Sequence, residues 1–187
     1  APCTANVAGE AITAMIKNGG TGYLRLDKTG AKDCFSEDPF VIGKSRRYKE
    51  GKDITLIATG SILGDANTAS VELKKLGIDA RVVGMHSIKP IDVDEIIDAA
   101  TNTGGIVTIE EHNKDGGLGS AISEVCMDFG VMPNKFLRIG LDNKYSSIVG
   151  SQPYLRSRYE MDSKAIINKI KKIFNSWKGL LFKRWFS

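Results

Sequence analysis

The chain reads as an α/β protein built on a mostly parallel sheet, and three observations say so. The stretch Ile106-Val-Thr-Ile-Glu-Glu-His-Asn-Lys-Asp-Gly-Gly-Leu-Gly-Ser-Ala-Ile-Ser-Glu124 is an apolar strand, two acids and a histidine at its end, a glycine turn, then a helix. A second unit of this type, Asp53-Ile-Thr-Leu-Ile-Ala-Thr-Gly-Ser61, also opens a helix. From Gly51 onward, strands and helices alternate at the spacing of βαβ units, which implies parallel pairing and right-handed crossovers.

The elements follow in order. Val7, Ala11, Ile12, Met15 and Ile16 fall at helical spacing, so residues 6–17 form a helix, closed by Asn18-Gly19-Gly20. Residues 23–26 predict a short strand, 27–37 a polar loop, and 39–42 a second short strand before the basic patch of Lys44, Arg46 and Arg47. Residues 54–58 are almost continuously apolar, as in a strand buried on both faces. A helix over 62–76 ends at Gly77, and 80–83 is the next strand. Asp92-Val-Asp-Glu95 is a capping box that starts a helix to residue 100. Then come a strand at 106–109, a helix at 120–129, a last strand at 136–139, and an amphipathic helix at 161–174 with Ile166, Ile167, Ile170 and Ile173 inward. The composition changes most between residues 28 and 50.

Composition narrows the class. The 187 residues are 42% apolar, enough for a core, and the net charge of +4 demands neither nucleic acid nor an anionic membrane. Cys3, Cys34 and Cys126 are odd in number and far apart, so a disulfide framework is not expected; they read as packing residues in a reducing cytoplasm. Two histidines, His86 and His112, argue against a histidine-rich metal site. No secretory signal and no apolar run long enough to span a bilayer occur. The start, Ala1-Pro-Cys-Thr4, lacks methionine, and a truncated or processed chain is expected. Residues 175–187 carry four aromatics, two leucines and three cations. They read as a docking segment or an expression scar, with a membrane-surface helix as the alternative.

Several motifs contain residue types that suggest chemistry. Asp27-Lys-Thr-Gly30 mimics the phosphorylated-aspartate signature of P-type ATPases, but the match ends at Ala31 and no membrane helices follow. Gly116-Gly-Leu-Gly119 lacks the spacing of a dinucleotide fingerprint and reads as a tight turn with close helix packing. Glu110-Glu-His112 has the residue types of an acid/base cluster, yet adjacent strand residues point to opposite faces, so at most two of the three converge. A hydrogen-bonded structural or interface cluster is the plainer reading. His86, in Met85-His-Ser-Ile-Lys-Pro90, reads as a core-edge or surface histidine. Lys28 lies just past the strand predicted at 23–26, where an ammonium could meet a phosphate; from spacing alone it is a solvated loop lysine.

Five segments in order carry a resemblance: Tyr23-Leu-Arg-Leu-Asp-Lys28, Gly51-Lys-Asp-Ile-Thr-Leu-Ile-Ala-Thr-Gly-Ser61, Gly77-Ile-Asp-Ala-Arg-Val-Val83, Ser87-Ile-Lys-Pro-Ile-Asp92 and Thr108-Ile-Glu-Glu-His-Asn-Lys-Asp-Gly-Gly-Leu-Gly-Ser120. Over residues 1–174 the chain resembles the C-terminal part of transketolase. The resemblance implies a three-layer α/β/α sandwich with a five-stranded sheet, one strand antiparallel. It implies a pyrimidine-binding-domain remnant at 1–30, a linker and first strand at 31–50, the transketolase C-terminal domain at 51–174, and a separate tail at 175–187. It also implies two-carbon ketol transfer between sugar phosphates with thiamine diphosphate and magnesium.

The Gly-Asp-Gly diphosphate motif and the cofactor-activating glutamate are not found here, so no cofactor, metal or catalytic residue is expected on this chain alone. By resemblance Lys28 takes the place of a substrate-phosphate-binding cation, usually arginine, without arginine's bidentate geometry. Ser61, Glu111 and His112 mark a strand-end crevice whose role would be structural, interfacial or regulatory. The expected partners are the upstream diphosphate- and pyrimidine-binding domains or subunit and a second copy in a homodimer, with no nucleic acid and no membrane. Deoxyxylulose-phosphate synthase, the β subunit of a 2-oxoacid dehydrogenase, and a non-catalytic interaction module are the alternatives.

Overall fold

The computed structural model describes residues 1–28 and 34–184, with side chains described as far as 174. Its elements are α1 (Ala5–Asn18), β1 (Arg46–Lys49), β2 (Ile54–Thr59), α2 (Leu63–Lys75), β3 (Ala80–Gly84), α3 (Val93–Asn102), β4 (Ile106–Asn113), α4 (Leu118–Asp128), β5 (Phe136–Leu141), α5 (Gln152–Arg158) and α6 (Ser163–Arg184). The sheet order is β1-β3-β2-β4-β5. β2 pairs parallel with β3 and β4, β4 pairs parallel with β5, and only the edge strand β1 runs antiparallel, on β3.

Strand alternation sorts the core into two halves. Leu56, Ala58, Val82, Val107 and Ile109 face α2 and α6, whose Leu63, Ala66, Leu73, Ile166 and Ile170 fill that side. Ile57, Val83 and Ile106 face α3 and α4, where Ile96, Ala99, Leu118 and Ile122 close the other. The result is the three-layer α/β/α sandwich. β2 and β3 are buried on both faces, which is why they read as apolar runs rather than as alternation.

The helix ends follow local chemistry. Thr4 caps α1 by accepting the Val7 N–H at 3.3 Å. Asp92 caps α3 by accepting the Glu95 N–H at 3.4 Å, and its other oxygen takes the Ser45 N–H at 2.7 Å, so the cap also ties down the approach to β1. The turn after α2 needs a left-handed residue, and Gly77 supplies it at φ 79°.

Two predicted strands do not form. Residues 23–26 and 39–42 make no ladder, and among the described residues the first strand is β1. A strand exists only where a neighbour accepts its backbone hydrogen bonds; residues 23–26 are left with Tyr23 87% and Leu26 57% exposed. α6 does not stop at residue 174 but continues to Arg184. The side chains that would decide the role of the 175–187 tail lie outside the described residues. The short α5, entered at Ser151 with proline in its first turn, is an element that the sequence pattern does not announce. Among the described residues no helix is long and apolar enough to cross a membrane.

Candidate functional site

The carboxyl ends of β2 and β4 lie side by side, with Thr59 paired to Glu110. Past that point the three residues Glu110, Glu111 and His112 separate, as strand geometry demands. Glu110 is fully buried and turns to the start of α4, where its two oxygens accept the N–H groups of Leu118 at 2.7 Å and Gly119 at 3.0 Å. Helix N-termini carry such orphan donors and partial positive charge, so a carboxylate there acts as a cap supplied by a neighbouring strand. Burial pushes the Glu110 carboxyl above its ordinary range, and the two N–H groups only partly offset it. Close packing makes this possible: a Cβ on Gly119 would meet the Thr108 hydroxyl and the Arg138 side chain, both at 2.7 Å.

Glu111 points the other way, to Arg156 on α5. Arg156 gives Nε at 3.2 Å and Nη2 at 2.7 Å to one Glu111 oxygen, Nη1 to Asp65 at 2.9 Å, and Nη2 also to the Ser61 hydroxyl at 2.7 Å. Gln152 donates to Glu111 at 2.8 Å. Burial disfavours the Arg156 charge, but Glu111 and Asp65 more than compensate and hold the guanidinium above its ordinary value. On the other side of Ser61, its N–H reaches the Asp27 carboxylate at 2.8 Å. Burial raises that carboxyl, yet the Ser61 hydrogen bonds together with Arg25 and Arg156 hold it below its usual range.

The structure therefore brings Ser61 and Glu111 together through Arg156, a residue that no motif picks out. Its only sequence signal is being one of two arginines in the last turn of α5. His112 does not join them; it lines a separate cavity with Glu110 and His86. Lys28 is exposed and is not among the residues that meet at the crevice. Asp27 of the ATPase-like motif is engaged by Ser61, while the motif beyond Lys28 lies outside the described residues.

Chemically the crevice is closed on itself, because each charged group in it is committed to a partner of this chain. Thiamine diphosphate and its magnesium would need carboxylates for the metal and a buried carboxylate free to act on the cofactor. Among the described residues no group of three or more His, Cys, Asp or Glu side chains could hold a metal ion. Glu110, buried at the strand end, is committed to α4. These residues do not fit the cofactor.

The site is thus a sandwich with a crevice satisfied by its own side chains, preceded by a helix that leaves Ile12 and Ile16 exposed. The transketolase C-terminal domain matches residues 43–166, and the chain belongs to that family. It is 33% identical to a subunit of the apulose-4-phosphate transketolase of Phocaeicola vulgatus, over 88% of this chain and 52% of that protein. It is 34% identical to the 6-deoxy-6-sulfo-D-fructose transketolase subunit SqwH of Clostridium sp., over 84% of this chain and 48% of that protein. A 1-deoxy-D-xylulose-5-phosphate synthase of Geobacter metallireducens is 35% identical over 81% of this chain but only 23% of its own length. A solved structure described as a split gene transketolase, inactive beta4 tetramer, superposes with a TM-score of 0.70 at 34% identity, covering 78% of this chain and 47% of that one. The chain thus spans about half the length of the transketolase subunits it matches.

Proposed function

We propose that this chain is the C-terminal portion of a thiamine diphosphate-dependent transketolase that moves a two-carbon ketol unit between sugar phosphates. In this reading residues 1–30 belong to the pyrimidine-binding domain, and the cofactor is held by sequence N-terminal to Ala1 or by a separate subunit. The observation that carries the reading is the unfinished N-terminal layer. α1 buries Val7 and Ala11 but leaves Ile12 and Ile16 exposed, and the extended stretch beside it leaves Tyr23 and Leu26 exposed. Exposed apolar side chains gathered on one segment of an otherwise well-packed domain support an interaction surface there. The half-length match to two proteins named as transketolase subunits supports an upstream polypeptide as what covers it.

The chain then supplies subunit contacts, including those of a homodimer, and one wall of the substrate channel. Lys28 follows Asp27, which is pinned to Ser61, and contributes an ammonium toward the sugar phosphate. Ser61 and Glu111 serve the crevice as structural anchors of α5. The test is a ketol-transfer assay on the chain assembled with its upstream partner. Lys28→Gln raises the KM for the sugar phosphate about tenfold with kcat little changed, and Lys28→Arg retains affinity. An unchanged KM would remove Lys28 from the channel.

The similarity to the deoxyxylulose-phosphate synthase supports a second reading within the same cofactor class. The same assembly, offered pyruvate and glyceraldehyde 3-phosphate in place of two sugar phosphates, separates the two.

A further inference from the structure

Both histidines of the chain line one cavity of about 560 Å³, between the N-terminal segment and the strand ends. None of Ser61, Asp65, Glu111 or Arg156 lines it. The volume is that of a small-molecule pocket. Its apolar surface comes from four separate parts of the chain: Met15 on α1, Phe40 and Pro90 in two different loops, and Leu118 at the start of α4.

The polar groups are unbalanced in sign. Among the lining residues Glu110 is the one carboxylate, and its oxygens are occupied by the Leu118 and Gly119 N–H groups. Against it stand Arg25 and Lys89. Arg25 is weakly engaged: its guanidinium lies 3.8 Å from Asp27 and 3.5 Å from the Glu111 carbonyl, which leaves most of its five N–H donors to spare. His86 is buried and its ring packs on Phe40 with centroids 4.4 Å apart. Its Nε2 is 3.3 Å from the Val41 carbonyl, which can only accept, so Nε2 carries the proton and the neutral ring keeps a lone pair on Nδ1.

We propose that this cavity binds a small organic anion, an aryl or alkyl body carrying a phosphate or carboxylate group. The body rests on Phe40, Met15 and Leu118, and the anion faces Arg25 and Lys89. Because the pocket walls come from both the N-terminal segment and the sheet domain, such a ligand clamps one to the other. The proposal does not depend on the ketol-transfer reading.

The two imidazoles make a built-in readout. The full 187-residue chain is titrated with phenyl phosphate while the ring C–H signals of His86 and His112 are followed by NMR, with inorganic phosphate and benzyl alcohol as the two halves of the probe. Phenyl phosphate shifts both rings along one saturable curve, and each half alone binds at least about tenfold more weakly. Arg25→Gln, at a partly exposed position whose change leaves the fold intact, weakens phenyl phosphate about tenfold; Lys89→Gln weakens it in the same direction. The proposal is overturned if His86 shows no saturable shift, if inorganic phosphate alone matches phenyl phosphate, or if Arg25→Gln and Lys89→Gln both leave the affinity unchanged. A carboxylate probe, phenylacetate, run beside the phosphate distinguishes the two anion types: the tighter binder names the head group.

Discussion

Arg156 concentrates the chemistry of the strand ends in one side chain. It holds Glu111, Asp65 and Ser61 at once, and all three charged groups are largely shielded from water. Removing one member of such a set leaves the others buried without compensation. Arg156→Met therefore lowers the stability of the chain by about 3 kcal/mol, read as a drop in the urea midpoint; a loss under about 0.5 kcal/mol, as for an ordinary surface change, would show the cluster to be incidental. Gly119→Ala puts a methyl group against Thr108 and Arg138 and costs about 2 kcal/mol by overpacking. His86 adds a pH dependence. Burial holds its imidazole below the ordinary value of 6.5, so below that pH the unfolded chain binds a proton that the folded chain does not. Stability then falls as pH drops from 6.5 toward the folded value. Glu95 and Glu110, raised by burial, have the opposite sign, losing stability as pH rises through their raised values. Comparing the chain with His86→Gln cancels them: the native protein loses stability more steeply between about pH 7.5 and 5.5, and equal slopes would refute the assignment.

At the scale of elements, what could be read from sequence depended on what each element packs against. β2, β3, β4 and α2 to α4 have their partners within the chain, and their periodicity and caps placed them to within a few residues. Residues 23–26 have strand composition but no strand beside them, and pattern alone cannot reveal a missing neighbour. α5 escaped because a helix of seven residues is too short to show periodicity, and with it went Arg156. The crevice residues Ser61 and Glu111 were visible as strand-end positions; the cation joining them, far from both in sequence, was not. The unfinished face of α1 gives its own test. Ile16 is 76% exposed, so Ile16→Glu changes the stability of the isolated chain by no more than about 0.5 kcal/mol. The same change abolishes association with the upstream polypeptide in sedimentation; unaltered association would place that contact elsewhere.

At the scale of the whole molecule, the described residues form a packed sandwich preceded by an N-terminal layer with exposed apolar side chains. The sandwich is stable in kind: two apolar cores, capped helices, and one antiparallel edge pinned by Asp92 and the ion pairs of Arg47 and Arg81 with Glu95 and Asp98. The N-terminal layer keeps Ile12, Ile16, Tyr23 and Leu26 exposed. If the chain is the C-terminal portion of a thiamine diphosphate enzyme, its cofactor affinity belongs to the assembly. Calorimetric titration with thiamine diphosphate and magnesium, run on this chain alone and on this chain with its upstream partner, tests that directly. The account predicts no heat of binding for the chain alone and saturable binding for the assembly. Saturable binding to the isolated 187 residues would put the cofactor site within them and contradict the account.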